Sequence, residues 1–439
     1  MSPLIIGALL CAATVIILAA GVPVAFSLAL VAVSFLFIFE GPESLGVVAE
    51  TMFSSISHFT LVSIPMFILM GSAIASSPAA KDLYEALDRW LHRVPGGLII
   101  ANLGACSIFS ALSGSSPATC AAIGKMGIPE MRSRGYPASL ATGAIAAGGT
   151  LGILIPPSIT MIVYGIATET SIGRLFLAGV VPGFMLTALF MTWALYTAKK
   201  NGYQINGSNR SYSMAEKLNV LPRVIPFMLV IIGVLYVLYG GIATPSEAAG
   251  VGAMMCVMLA VVIYKIRDAK RLWEMLSSSM KESVMILMII AASELFSFTL
   301  SSLYITQSVA QWIAMLDVNP WVLLGIINLF LLFCGFFLPP VAVILMTAPI
   351  LLPIILSAGF DPYWFAVILT INMEIGLITP PVGLNLYVIN GICKDVSLPT
   401  ILKGALPFML CMVLAIVILT IFPEIVLWLP NLVMGPEIH

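Results

Sequence analysis

Two stretches carry residue types at spacings that could hold an ion. One reads Thr150-Leu151-Gly152-Ile153-Leu154-Ile155-Pro156-Pro157-Ser158; the other reads Gly376-Leu377-Ile378-Thr379-Pro380-Pro381-Val382-Gly383-Leu384-Asn385. Each lies inside an apolar run, 138–167 or 362–392, long enough to cross a bilayer. Paired prolines remove backbone donors and clash with the preceding turn, so each run is expected to be a broken helix. A break at membrane depth is tolerated only where it is buried in protein or lines a wet cavity. Free carbonyls and hydroxyls there suit a hard monovalent cation such as Na⁺. The partly positive N-termini of the half-helices suit a carboxylate.

Each break has a partner. The segment 97–130 is interrupted by Ser113-Gly114-Ser115-Ser116-Pro117-Ala118-Thr119, and 319–357 by Gly335-Phe336-Phe337-Leu338-Pro339-Pro340. Both are expected to be re-entrant hairpins whose tips face the breaks. The expected sodium ligands are Ser113, Gly114, Ser115, Gly149 and Thr150 at one junction. Gly335, Leu338, Gly376, Thr379 and Gly383 are their counterparts at the other. Substrate contacts are expected from Ser113, Ser115, Ser116, Thr119, Pro156, Pro157, Pro339, Pro380, Pro381 and Asn385. Asn385 has two readings: it lines the substrate path, or it caps a half-helix. Glu374 and Glu294 are costly intramembrane acids, and either could carry a proton. For Glu374 the sequence favours a structural role on nearby backbone amides.

The elements that must position these residues follow from composition. Of 439 residues, 60% are hydrophobic and 9% charged, and the mean hydropathy is +1.10. Soluble proteins carry roughly 25% charged residues, so this is an all-α polytopic membrane protein. About ten spans are expected, two of them broken, plus the two hairpins. The net charge of −1 gives no reason to expect nucleic acid. Seven scattered cysteines and three distant histidines (His58, His92, His439) make neither a disulfide framework nor a metal cluster. There are no paired catalytic aspartates, no HExxH and no convincing Ser–His arrangement, so an enzyme is not expected.

Threading the spans in order puts every one of the 19 Lys and Arg except Arg174 on one side. The positive-inside rule makes that side cytoplasmic and places both termini outside, in the periplasm of a bacterial inner membrane. If either hairpin were a full crossing, the segregation would collapse. Spacing repeats as well. Pro156 to Pro182 is 26 residues and Pro380 to Pro407 is 27; Ser116 to Pro156 is 40 and Pro339 to Pro380 is 41. Three spans precede each hairpin, and the second copy starts on the opposite side, which is the inverted-repeat design of alternating-access carriers. The expected division is a first scaffold unit (1–96), a transport unit (97–183), a closing span and cytoplasmic linker (184–221), a second scaffold unit (222–318), a second transport unit (319–423) and a periplasmic tail (424–439). Separate interfacial helices are expected at 81–93 and 267–281, and a loop at 303–320.

The motifs SGSSPAT (113–119), GTLGILIPPSITMIVYGIAT (149–168), LFLAGVVPG (175–183), TPSEAAG (244–250) and MEIGLITPPVGLNLYVINGI (373–392) resemble the large membrane subunit of tripartite ATP-independent periplasmic (TRAP) transporters. The resemblance spans most of the chain. It implies an elevator-type fold of the ion transporter superfamily and sodium-driven uptake of a small organic anion such as a C4-dicarboxylate or sialic acid. It also implies two partners: a periplasmic substrate-binding protein, and a small four-helix membrane subunit, expected here as a separate chain. One departure stands out. Many relatives carry an acid at the second hairpin tip, where this chain has Leu338-Pro339, leaving only backbone carbonyls there. The alternative is a proton-coupled organic-anion antiporter or exporter of the same superfamily.

Overall fold

In a computed structural model the described residues are 1–91, 94, 96–202, 212–315 and 319–436. His92, Arg93, Arg210, Asp317 and His439, named in the sequence reading or its charge count, lie outside them, as does most of the polar linker. The described residues are helical with no strand. The first half contains α1 (Pro3–Ala19), α2 (Val24–Glu40), α3 (Gly46–Ile56), α4 (Ser63–Ala75), α5 (Ala79–Leu91), α6 (Gly97–Ser113), α7 (Ser116–Ser133), α8 (Ala138–Leu154), α9 (Ile159–Ala167) and α10 (Ile172–Lys200). After α11 (Met214–Leu218) come α12 (Leu221–Tyr239), α13 (Pro245–Val262), α14 (Ala269–Ser302) and α15 (Ile305–Met315). The chain ends with α16 (Pro320–Gly335), α17 (Pro340–Ser357), α18 (Pro362–Leu377), α19 (Leu384–Ile392), α20 (Leu398–Ile421) and α21 (Glu424–Met434). Among the described residues, six helices are long and apolar enough to cross a membrane, or up to 8 if each bent pair counts as one span.

The repeat is visible in which helices touch. α4 packs on α13 while α14 packs on α2; α9 packs on α17 while α19 packs on α7. Each pairing is the other with the two halves exchanged. Both hairpins return to the end from which they start. Arg134, just after α7, forks onto both carboxylate oxygens of Asp88, just before α6, at 3.2 Å each. At the second hairpin the rings of Trp321, at the start of α16, and Phe360, just after α17, lie 5.3 Å apart.

The segments that the basic residues assign to one side are joined there by polar contacts. Asp82 accepts from Tyr264 at 2.7 Å and pairs with Arg223 at 3.4 Å; Arg89 donates to the Glu216 carbonyl at 2.8 Å. Arg132 meets Asp395 at 2.6 Å and holds that carboxyl below its ordinary range. Arg174, the exception in the charge count, is buried elsewhere. It donates to Asn431 at 3.2 Å and to the Gly435 carbonyl, and lies over the ring of Tyr363.

Two expectations are corrected. The segment 267–281 is not a separate interfacial helix, because α14 runs unbroken for 34 residues. No Gly or Pro occurs between Ala269 and Ser302 to interrupt it. The loop expected at 303–320 contains α15. The tail folds as α21, which packs along α10 and is held there by Arg174.

Asp88 is 7% exposed, so its pairing with Arg134 is a largely desolvated contact. Removing one member strands the other charge. Arg134→Ala is expected to destabilise the folded protein by about 3 kcal/mol, read as a lower thermal midpoint in detergent. The exposed Arg132→Ala is expected to cost less than about 1 kcal/mol.

Candidate functional site

The first junction is built by close backbone approach. Gly114 has φ +60°, which lets the chain reverse from α6 into α7, and a Cβ there would sit 3.1 Å from the Pro157 carbonyl oxygen. A Cβ on Gly152 would meet the Ser115 carbonyl carbon at 2.9 Å. The tip is also tied internally. Ser113 and Thr119 share a 2.9 Å hydroxyl contact, and Thr119 donates to the Ser115 carbonyl at 3.0 Å. Gly149, Thr150, Pro156 and Pro157 are buried behind it. The Thr150 hydroxyl donates to the Ala147 carbonyl, which leaves the oxygen's lone pairs free to meet a cation.

The second junction repeats the plan with different chemistry. A Cβ on Gly376 would fall 2.4 Å from the Gly335 carbonyl oxygen. The Val382 amide donates to the Phe336 carbonyl at 3.2 Å, linking tip to break. Thr379 donates to the Ile375 carbonyl at 2.6 Å, again with its lone pairs left over. Pro380 and Pro381 are exposed, unlike their buried counterparts in the first copy, and Gly383 has φ +44°. Both Pro-Pro bonds are cis. Leu338 lines an apolar cavity of about 380 Å³ between α1 and the second hairpin.

Both tips face one cavity of about 190 Å³. Ser116, Ile159, Pro340 and Leu384 line it, and these are the first residues of α7, α9, α17 and α19. Four helix N-termini therefore converge on a single small space. Among the described residues no Lys or Arg lines it, and the one charged side chain on its wall is Glu282 of α14. Of the residues singled out in the sequence, Gly114, Ser115, Ser116 and Pro339 stand on the wall. Ser113, Thr119 and the paired prolines of both breaks do not line it. Sequence reading missed Thr160 and Glu282; Thr160 follows the first break by one short turn and could have been found from that spacing.

Three polar residues need separate accounts. Glu374 is 1% exposed and accepts from the Ser116 hydroxyl at 2.7 Å. It therefore ties the second broken helix to the first hairpin, and the expected contact with backbone amides is not what holds it. Asn385 is neither a helix cap nor on the cavity wall. Its amide donates to the Ala146 carbonyl at 3.2 Å and joins α19 to α8. Glu294 lines a different cavity of about 190 Å³ with His58 and Glu169.

A family model for the tripartite ATP-independent periplasmic transporter, DctM component, matches residues 11–425. The chain belongs to this family. Among relatives of this DctM component, the C4-dicarboxylate TRAP transporter large permease of Pseudomonas aeruginosa is 39% identical, covering 89% of this chain and 90% of that one. The sialic acid TRAP transporter large permease of Vibrio cholerae is 32% identical, covering 95% and 97%. In fold, the DctM component is similar to the YdaH transporter of Alcanivorax borkumensis, with a TM-score of 0.65 at 14% identity, covering 91% of each chain.

Added methyl groups at the close approaches should force a tip away from its break. Gly152→Ala and Gly376→Ala are each expected to lower uptake at least about tenfold while membrane insertion persists. Gly250→Ala, with nothing within 4 Å of the new atom, serves as the silent control. Uptake per molecule of reconstituted protein measures the difference.

Proposed function

We propose that this chain is the large membrane subunit of a sodium-coupled uptake system for a small organic anion. The observation that carries this reading is the convergence of four helix N-termini on a cavity that, among the described residues, has no basic side chain. Each N-terminus is worth about +0.5 elementary charge, so four offer roughly two, enough to complement a dicarboxylate. The cavity of about 190 Å³ is small beside the roughly 300–1,000 Å³ of pockets for drug-sized ligands, which favours a C4-dicarboxylate over a nine-carbon sugar acid such as sialic acid.

Na⁺ enters first at the two junctions. It meets tip carbonyls and the spare lone pairs of Ser113, Ser115, Thr150 and Thr379, with carbonyls at Gly114, Gly149, Gly335, Leu338, Gly376 and Gly383. Its charge orders the tips, and the anion then binds between them. The hairpins and broken helices, 97–183 and 319–423, move as an elevator against the scaffold, 1–96 and 222–318. Each elementary charge moved through the field is worth about 2.3 kcal/mol per 100 mV, so excess Na⁺ drives a dianion inward. A periplasmic binding protein delivers the anion, and a small four-helix subunit braces the scaffold in the inner membrane. The basic helix ends face the cytoplasm and both termini face the periplasm.

The test is uptake in proteoliposomes with the cognate binding protein and small subunit, with and without a Na⁺ gradient. Sodium-independent uptake, or uptake driven by a pH gradient alone through Glu294 or Glu374, would sink this reading in favour of a proton-coupled carrier. Ser115→Ala and Thr379→Ala each remove a hydroxyl worth about 1 kcal/mol, so each is expected to weaken apparent Na⁺ affinity about fivefold with assembly intact. Titrating uptake against external Na⁺ measures this.

A further inference from the structure

Glu282 belongs to α14, a helix packed mainly on α2, α3 and α4 and also touching α17 of the second hairpin, whereas the helix N-termini at the cavity belong to the hairpins and broken helices. Its side chain is exposed and, among the described residues, takes part in no ion pair. It faces a space that four helix N-termini make attractive to anions. The rest of the α14 wall beside it, Met285, Ile286 and Ile289, is apolar. A carboxylate in that position competes with any other carboxylate brought to the tips. It does so only where α14 stands beside the tips at the level of Glu282, close to the basic end of that helix.

We infer that Glu282 is a release residue: a carboxylate fixed on the scaffold that opposes the substrate anion at the helix N-termini on the cytoplasmic side and so favours its departure. This rests on the transport function proposed above. When the cavity is empty the same carboxylate faces the four N-termini in the anion's place. When the tips move away along α14 the opposition is lifted, so affinity for the anion is higher on the far side. Glu282 thereby gives the two sides unequal affinity.

The experiment uses the full transporter with its binding protein and small subunit in proteoliposomes, with wild type as the reference. The internal concentration of a C4-dicarboxylate that half-inhibits net uptake is measured beside the rate of exchange. Glu282→Gln is expected to lower that inhibitory concentration about tenfold and to slow net uptake several-fold, with exchange preserved. Glu282→Asp should stay near wild type, as should Glu274→Gln, which removes an exposed charge from the same helix away from the cavity. An unchanged internal inhibitory concentration in Glu282→Gln, while wild type transports, overturns the role of Glu282 alone. Equal effects of Glu274→Gln and Glu282→Gln overturn it too, since bulk surface charge would then explain both. Wild type that fails to take up any anion under a Na⁺ gradient overturns the transport reading itself, and this inference with it.

Discussion

The structure depends on one constraint: peptide groups released inside a bilayer must find partners, and here the partners are the ends of other broken helices. Lipid offers no hydrogen bonds, so a helix that stops at membrane depth must stop against protein or ligand. This chain stops helices twice at Pro-Pro and twice at hairpin tips, and packs the four restarts around one space. The resulting positive potential comes from peptide dipoles. It does not titrate, and no single side-chain substitution removes it.

The glycines at the junctions follow from the same constraint. Carbonyls can be shared between tip and break only if the backbones nearly touch. Gly152 against Ser115 and Gly376 against Gly335 supply that approach in the two halves. The halves are not copies in detail. The first junction is hydroxyl-rich and buried, while the second relies on backbone contact between Val382 and Phe336 and is partly open. Glu374 crosses from one half to the other through Ser116, so the two junctions share a hydrogen bond as well as a cavity.

Much of this was legible in the sequence, for identifiable reasons. Paired prolines in an apolar run admit few conformations, and a Gly-Ser tip between apolar arms needs a reversal, so breaks and hairpins could be placed within a few residues. The charge count singled out Arg174, and it contacts α21 and the chain beyond it rather than the polar contacts that join the other basic segments. What escaped depends on tertiary contact. α14 was divided where its charges give way to apolar residues, although nothing in the backbone stops the helix there. α21 is too short to span, and only its packing on α10 makes it an element. Glu282 sits one residue outside the apolar run that begins at 283. Hydropathy marks where such a run starts and is silent on which neighbour a boundary side chain faces. Glu374 and Asn385 were recognised as unusual, but their partners, Ser116 and Ala146, lie in the other half of the chain.

Arg174 has a broader effect than its hydrogen bonds to Asn431 and Gly435 suggest. By gripping Asn431 and Gly435 it fastens the last helix of the chain across α10, and that helix also touches α18 and α20. The final segment is thus a buckle between the closing helix of the first half and the broken and closing helices of the second. The two duplicated halves are fastened to each other at a second place, through α21, as well as through the Ser116–Glu374 hydrogen bond at the junctions.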